Sequence, residues 1–248
     1  MIEREEREGI VTLRLAHGKV SAMDAELIEA LLAELRRLQD ASAVVLTGTG
    51  SVFSAGVDLF RLVDGGVEYV RRFVPLLREL LTELFTVEIP VVAAANGHAI
   101  AGGGLMVMAS DHRLMADGIG RIGVPELLVG VPFPAAALEI VRYAVSTERL
   151  QPLVLTGRTL LPAEALEWGL VDEVVPPDLL LERAHAVAVQ MASVPAEVFR
   201  LTKRYLRAQA LERIRTREPE NDPAAMRVWE APETHAYIRD YLARTVRK

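Results

Sequence analysis

The most distinctive candidate for chemistry in this sequence is a stretch of bare backbone. Gly102, Gly103 and Gly104 stand together where an apolar strand gives way to a helix. Such a helix start lets another group approach closely, and its first N–H groups are free to bind an anion or an oxygen that becomes negative during a reaction. Close helix packing would also require small residues, and the glycines alone do not decide between these two interpretations.

A second segment of small residues, VFSAGVDL at 52–59, also follows a predicted strand. It places the N–H of Val57 at the next turn, directly before Asp58. We interpret Asp58 as a helix cap or an acceptor that holds the fold, ahead of a catalytic role. The GTG at 48–50 is a weak indication of a dinucleotide loop, because no GxGxxG pattern and no suitably placed acidic partner accompany it.

A third segment, IGVPELLVGVPFP at 122–134, carries a carboxylate among apolar residues. If Glu126 is buried there, lost solvation raises its pKa and suits it to carry protons near neutral pH. On local sequence alone, a surface glutamate in the first turn of a helix is the simpler interpretation.

Composition limits the remaining classes of function. The chain has 248 residues, no cysteine and five scattered histidines, so it predicts no disulfide and no metal site. A net charge of −6 disfavours nucleic acid as a partner, and the basic stretch at 199–217 is interpreted as a solvated helix face. No apolar run is long enough to span a membrane and the acidic N-terminus is unlike a targeting peptide, so we expect a soluble, cytoplasmic protein.

Hydrophobic periodicity predicts an α/β chain with a helical C-terminal third. Ser21 and Asp24 resemble a capping box that opens the first helix, on which Leu27, Leu31, Leu35 and Leu38 are spaced to lie on one face. The REPENDP segment at 217–223 is predicted to be a loop. The predicted strands are 10–15, 43–46, 91–95, 113–116 and 120–122, and the predicted helices are 73–85, 135–145, 163–168, 179–193, 196–217 and 232–246.

Four motifs occur in an order and spacing typical of one family. They are FSAGVDL, NGHAIAGGG, VPELLVGVP and LTGRTLLPAEALEWGLVDEVV. With these motifs, most of the chain resembles the enoyl-CoA hydratase/isomerase (crotonase) superfamily, and the likeness is weakest in the first twenty and last thirty residues.

The resemblance implies a fold and a chemistry. Residues 1–193 are expected to form a crotonase-like spiral of strand–strand–helix turns, and residues 194–248 a helical region that assembles homotrimers or dimers of trimers. The expected substrate is an acyl-CoA thioester, with CoA as part of the substrate and no separate cofactor. The motifs map the two oxyanion N–H donors onto Val57 and Gly102, and the catalytic carboxylate onto Glu126.

Residues beside these groups are expected to contact the substrate: Val20, Ala22, Ala55, Asp58, Leu59, Phe60 and Leu105. The backbone of Ala55 and that of Val57 are expected to contact the adenine side of CoA, and Val20 and Ala22 are expected to form a wall. Phe60, with Leu62 and Val63, is expected to line the acyl pocket.

One position departs from the hydratases of the family. They carry a second glutamate three residues after the second oxyanion glycine, where this chain has Leu105. Leucine neither donates nor accepts a proton, whereas a single glutamate is sufficient to move a double bond from the 3- to the 2-position. The resemblance therefore favours an enoyl-CoA isomerase over a hydratase, another crotonase-type reaction or a non-catalytic thioester binder. Glu139 and His98 are interpreted as structural residues.

Overall fold

The computed structural model describes residues 1–245, which contain ten strands and ten α-helices. The strands are β1 Ile2–Arg7, β2 Ile10–Leu15, β3 Ala43–Thr47, β4 Val52–Ser54, β5 Val91–Ala95, β6 His98–Ile100, β7 His112–Ala116, β8 Ile122–Gly123, β9 Thr159–Leu160 and β10 Glu173–Val175. The helices are α1 Ala25–Leu35, α2 Leu59–Thr86, α3 Gly102–Ala109, α4 Glu126–Val129, α5 Ala135–Ala144, α6 Thr147–Thr156, α7 Pro162–Glu167, α8 Leu180–Ala192, α9 Ala196–Glu230 and α10 Pro232–Thr245. A single 3₁₀ turn, Pro177–Leu179, precedes α8 within this part of the chain.

The strands form two sheets, and from β3 to β8 consecutive strands alternate between them. The larger sheet has the order β1-β2-β3-β5-β7-β10, and the smaller has the order β4-β6-β8-β9. Each strand pair is followed by a helix: β3 and β4 by α2, β5 and β6 by α3, β7 and β8 by α4. This succession is the predicted spiral of strand–strand–helix turns.

The helix at 25–35 shows how the apolar pattern builds the core. Leu27, Leu31, Leu35 and Leu38 are all buried, as their spacing predicts. The predicted capping box is wrong, because Asp24 rather than Ser21 caps this helix by accepting from the N–H of Leu27. The hydroxyl of Ser21 instead donates to the Leu15 carbonyl.

The predicted helix at 73–85 is part of a longer one. α2 begins at Leu59, where Asp58 caps it by accepting from the N–H of Arg61, and it changes direction at Gly66. Gly66 has φ 62° and ψ −155°, a combination that glycine adopts readily. The interpretation of Asp58 as a cap is confirmed.

The predicted loop at 217–223 is wrong. α9 continues through Pro219 and Pro223 to Glu230. Tertiary contacts outweigh the low helix propensity of this segment, since the Asp222 carboxylate accepts from the N–H of Ala135 at the start of α5. The end predicted for the last helix, residue 246, lies outside the described residues.

Buried charges hold the C-terminal helices against the sheet core. Asp111 accepts from Lys203 at 2.5 Å and from Arg207 at 2.7 Å. Arg207 also donates to the carbonyls of Phe85 and Ala109, which lie at the ends of α2 and α3. No helix within residues 1–245 is long and apolar enough to cross a membrane.

Candidate active site

The three glycines let α3 lie directly against neighbouring backbone. A Cβ at Gly103 would lie 2.5 Å from the Ser54 carbonyl oxygen, and one at Gly104 would lie 2.7 Å from the Gly123 carbonyl oxygen. A Cβ at Gly102 would meet the Met23 sulfur at 2.6 Å. Close packing is therefore one requirement that the glycines meet, and it fixes the start of α3 against the smaller sheet.

The second glycine-containing segment touches the first. Gly56 has φ 81°, and a Cβ there would lie 2.5 Å from the Ile100 carbonyl oxygen and 3.3 Å from the Gly102 nitrogen. The segment after β4 and the start of α3 are thus in direct contact. This contact brings the backbone of Val57 to the same place as that of Gly102.

The two expected donors have no partner within the described chain. Neither the Val57 N–H nor the Gly102 N–H donates a hydrogen bond to any residue between 1 and 245. Hydrogen bonds fix the neighbours of Val57, since the Met23 N–H donates to the Gly56 carbonyl at 2.7 Å and the Asp58 N–H donates to the Met23 carbonyl at 2.9 Å. Two free donors on rigid backbone are suited to a developing negative charge on one oxygen.

The residue before α3 is strained. Ala101 has φ 50° and ψ −121°, a region that costs a residue with a side chain about 1–3 kcal/mol. The Ala101 carbonyl accepts from the N–H of Leu105 and so points along α3. Because C=O and N–H point in opposite directions in a trans peptide, the N–H of Gly102 points away from the helix.

Val57, Gly102 and Glu126 line one cavity of about 300 Å³. Glu126 is the first residue of α4, which is held between Pro125 and Gly130. Its side chain is buried, and its Oε2 has no hydrogen-bond partner among the described residues. Burial raises the pKa of the Glu126 carboxyl to about 8, against a smaller lowering by its own N–H. A carboxyl of this kind exchanges protons near neutral pH.

Sequence similarity to known proteins extends over most of the chain. The family model described as enoyl-CoA hydratase/isomerase matches residues 5–231. The chain belongs to this family. It is 30% identical over 206 residues to a probable enoyl-CoA hydratase of Mycobacterium bovis, covering 82% of this chain and 79% of that one. It is also 30% identical over 224 residues to the mitochondrial enoyl-CoA delta isomerase 1 of Rattus norvegicus, covering 88% and 78%.

The fold of this family member is also that of a solved isomerase. The crystal structure of human mitochondrial delta3-delta2-enoyl-CoA isomerase superposes with a TM-score of 0.93 at 24% identity, covering 98% of this chain and 97% of that one. At this identity the likeness concerns the fold alone, and the predicted crotonase-like fold class is confirmed.

Three of the seven residues expected to contact substrate line the cavity: Ala55, Leu59 and Leu105. Leu105 is buried and lies on the same cavity as Glu126. The N–H of Ala55 is not available to a ligand, because it donates to the Val20 carbonyl at 3.0 Å.

The other four lie outside the cavity. Val20 and Ala22 belong to the segment that packs beside Ala55–Asp58, and Asp58 caps α2. Phe60 is 53% exposed and does not line this cavity, and its assignment to the acyl pocket stays a prediction. Leu62 and Val63 face the core instead, since the turn of α2 that carries them points inward.

Sequence reasoning missed the residues of the C-terminal helices that line the cavity: Trp229, Tyr241, Leu242 and Thr245. They lie where the resemblance is weakest, and helical periodicity shows which face is apolar without showing what it covers. Trp229, a large aromatic residue in a polar stretch, is the one local signal that could have indicated a buried contact.

Glu139 and His98 do not line the cavity. Glu139 is buried between α5 and α9, where it accepts from Arg142 at 3.2 Å and lies 3.8 Å from Arg213. No group of three or more His, Cys, Asp or Glu residues that could hold a metal ion occurs in the described part of the chain.

Proposed function

We propose that this protein is an isomerase that converts 3-enoyl-CoA to 2-enoyl-CoA, with Glu126 as its single proton carrier. The observation that carries the proposal is that Glu126 is the one charged side chain among the described residues that line the cavity. The position that would hold a second carboxylate is the buried Leu105, so this part of the cavity wall is apolar.

The proposed reaction moves one proton and one double bond. The Glu126 carboxylate removes a proton from C2, and the electron pair passes into the thioester carbonyl. The N–H groups of Val57 and Gly102 hold the resulting enolate oxygen, and each such donor is worth about 3 kcal/mol in the transition state. Glu126 then returns the proton to C4, which leaves the double bond at the 2-position and restores the carboxylate.

A hydratase is the second candidate, because relatives named as hydratases are as similar as the isomerase. Hydration requires a second polar group to position water. Of the cavity's other polar side chains, Trp229 donates to the Pro132 carbonyl and Thr245 to the Tyr241 carbonyl. A water-positioning role would therefore fall to the Tyr241 hydroxyl.

Product analysis in deuterated water separates the candidates. The purified protein is offered 3-enoyl-CoA and 2-trans-enoyl-CoA, and the products are followed by mass spectrometry. We expect a 2-enoyl product from the first substrate and no hydrated product from either. Hydrated product that disappears in Tyr241→Phe would favour the hydratase, binding without turnover would favour a silent binder, and failure to bind any CoA thioester would refute the proposal.

Glu126→Gln tests the role of the carboxylate. Its amide keeps the shape of the side chain but cannot carry the proton, so we expect kcat to fall by about 10²–10⁴-fold while thioester binding is retained. Unchanged isomerisation in this variant would contradict the assignment.

We further propose that the protein assembles as a homotrimer or a dimer of trimers. α9 exposes Val198, Tyr205 and Leu206 by 57%, 72% and 66%, an apolar surface that a second copy would cover. Light scattering coupled to size-exclusion chromatography should give a mass of three or six chains, and a monomer would contradict this expectation.

A further inference from the structure

The cavity runs from an exposed mouth to a buried floor. Ala55 at the mouth is exposed, and Val57 and Ala101 beside it are half-buried. Ala137 and Trp229, which also line the cavity, are 0% and 2% exposed. A thioester whose carbonyl lies at Val57 would therefore direct its acyl chain toward these two buried residues.

Trp229 is the larger of these two buried residues and is held by hydrogen bonds. Its Nε1 donates to the Pro132 carbonyl at 3.1 Å, which fixes the indole ring against a segment that also lines the cavity. His235 Nε2 donates to the Trp229 carbonyl at 3.0 Å, where α9 ends and α10 turns back. A ring fixed at both its nitrogen and its backbone does not move aside easily for a longer chain.

We propose that Trp229 is a specificity-determining residue that sets the maximum acyl length and restricts the substrate to short- and medium-length acyl groups. The inference rests on the proposed acyl-CoA function. The volume of about 300 Å³ lies at the lower end of the range for small-molecule sites, roughly 300–1,000 Å³. Because Ala137 and the indole face present no free polar group, the end of the chain that reaches them is plain hydrocarbon.

The chain offers a direct reporter, because it has two tryptophans. Trp168 lies outside the cavity, between the guanidinium groups of Arg149 and Arg158 at 4.6 and 4.8 Å. In Trp168→Phe, tryptophan fluorescence therefore comes from Trp229 alone. Titration with CoA and with butanoyl-, hexanoyl-, octanoyl- and dodecanoyl-CoA should change the emission only above a threshold chain length. An emission that responds equally to free CoA and to every acyl length would overturn the inference.

Turnover of 3-enoyl-CoA substrates of increasing length provides the second test. Trp229→Leu should raise kcat/KM for 3-dodecenoyl-CoA relative to 3-hexenoyl-CoA by about tenfold, and Trp229→Phe by less. Trp168→Phe is the matched control and should keep the wild-type length profile. Thermal unfolding of each variant verifies that it is folded. If Trp229→Leu fails to fold, the fluorescence titration still tests the inference, because it is done with the native Trp229.

The outcomes distinguish this inference from the proposed function. If no CoA thioester binds or reacts, the proposed function fails. If thioesters react and the length profile of folded Trp229→Leu equals that of the wild type, only the role of Trp229 fails.

Discussion

Burial of the Glu126 carboxyl has consequences for both activity and stability. Because the free enzyme must hold the carboxylate to remove a proton, and burial raises its pKa to about 8, kcat/KM should rise with pH through about 8 and then level off. Initial rates at substrate concentrations well below KM, measured from pH 6 to pH 10, check this. A profile that is flat over this range would show that another group is the base.

The same pKa predicts the effect of Glu126→Gln on stability. Folding raises the pKa of this carboxyl from 4.5 in the unfolded chain to about 8. Below pH 4.5 the group is protonated in both states and costs no stability, whereas between pH 4.5 and about 8 the unfolded chain ionises more readily, so the folded state loses stability. At pH 7 the loss is on the order of 3 kcal/mol. Glu126→Gln removes this pH-dependent loss. The free energy of unfolding of the variant minus that of the wild type should therefore increase between pH 5 and pH 8. Urea unfolding at several pH values measures it, and a constant difference would contradict the pKa.

The motifs predicted that Val57, Gly102 and Glu126 belong to one site, and all three line one cavity. Their local sequence did not decide whether Glu126 is buried, because a glutamate in the first turn of a helix is usually exposed. Its helix, α4, packs against α6 and α10, which are distant in sequence, and a local pattern does not bring them together.

The helix at 102–109 depends on backbone packing more than on side chains. In Gly103→Ala the new Cβ would lie 2.5 Å from the Ser54 carbonyl, so we expect a loss of about 1–3 kcal/mol and a fall in kcat as the helix start shifts. Ala101→Gly is the matched exchange two residues earlier. It relieves a positive φ, so its stability should equal or exceed that of the wild type. Chemical denaturation of both variants measures this, and equal losses in the two would contradict the packing argument.

The elements that local pattern predicted best are those whose apolar faces meet the core, such as β2, β5 and α1. The segment at 217–223 shows the limit of such prediction. Its two prolines and polar residues favour a loop locally, but Arg78 lies 2.9 Å from Glu218, and Asp222 binds the start of α5. These partners are distant in sequence, so no local pattern contains them.

Across the whole molecule, the buried Asp111 cluster connects α9 to the sheet core. Asp111→Asn would leave the cations of Lys203 and Arg207 without a carboxylate, so we expect a loss of about 3–5 kcal/mol. Glu167→Gln is the control, since it breaks an exposed ion pair with Arg149 and should cost less than about 1 kcal/mol. Thermal and urea unfolding compare the two variants, and similar losses would show that the cluster does not anchor α9.

The fold as a whole follows from the order of the motifs, whereas the closure of the cavity does not. α9 and α10 return across the molecule to cover a site built by residues before 140. The sequence resemblance assigned these helices to assembly alone. Their contribution to the cavity becomes visible only when the packing of α10 is known.

A 3-enoyl-CoA labelled with deuterium at C2 tests the central claim most directly. Glu126 is buried with no hydrogen-bond partner on Oε2 among residues 1–245, so the deuteron that it removes should exchange slowly with solvent. In ordinary water, the account predicts that part of this label appears at C4 of the 2-enoyl product in a single turnover. Complete absence of the label from C4, or a hydrated product in place of the isomer, would contradict it.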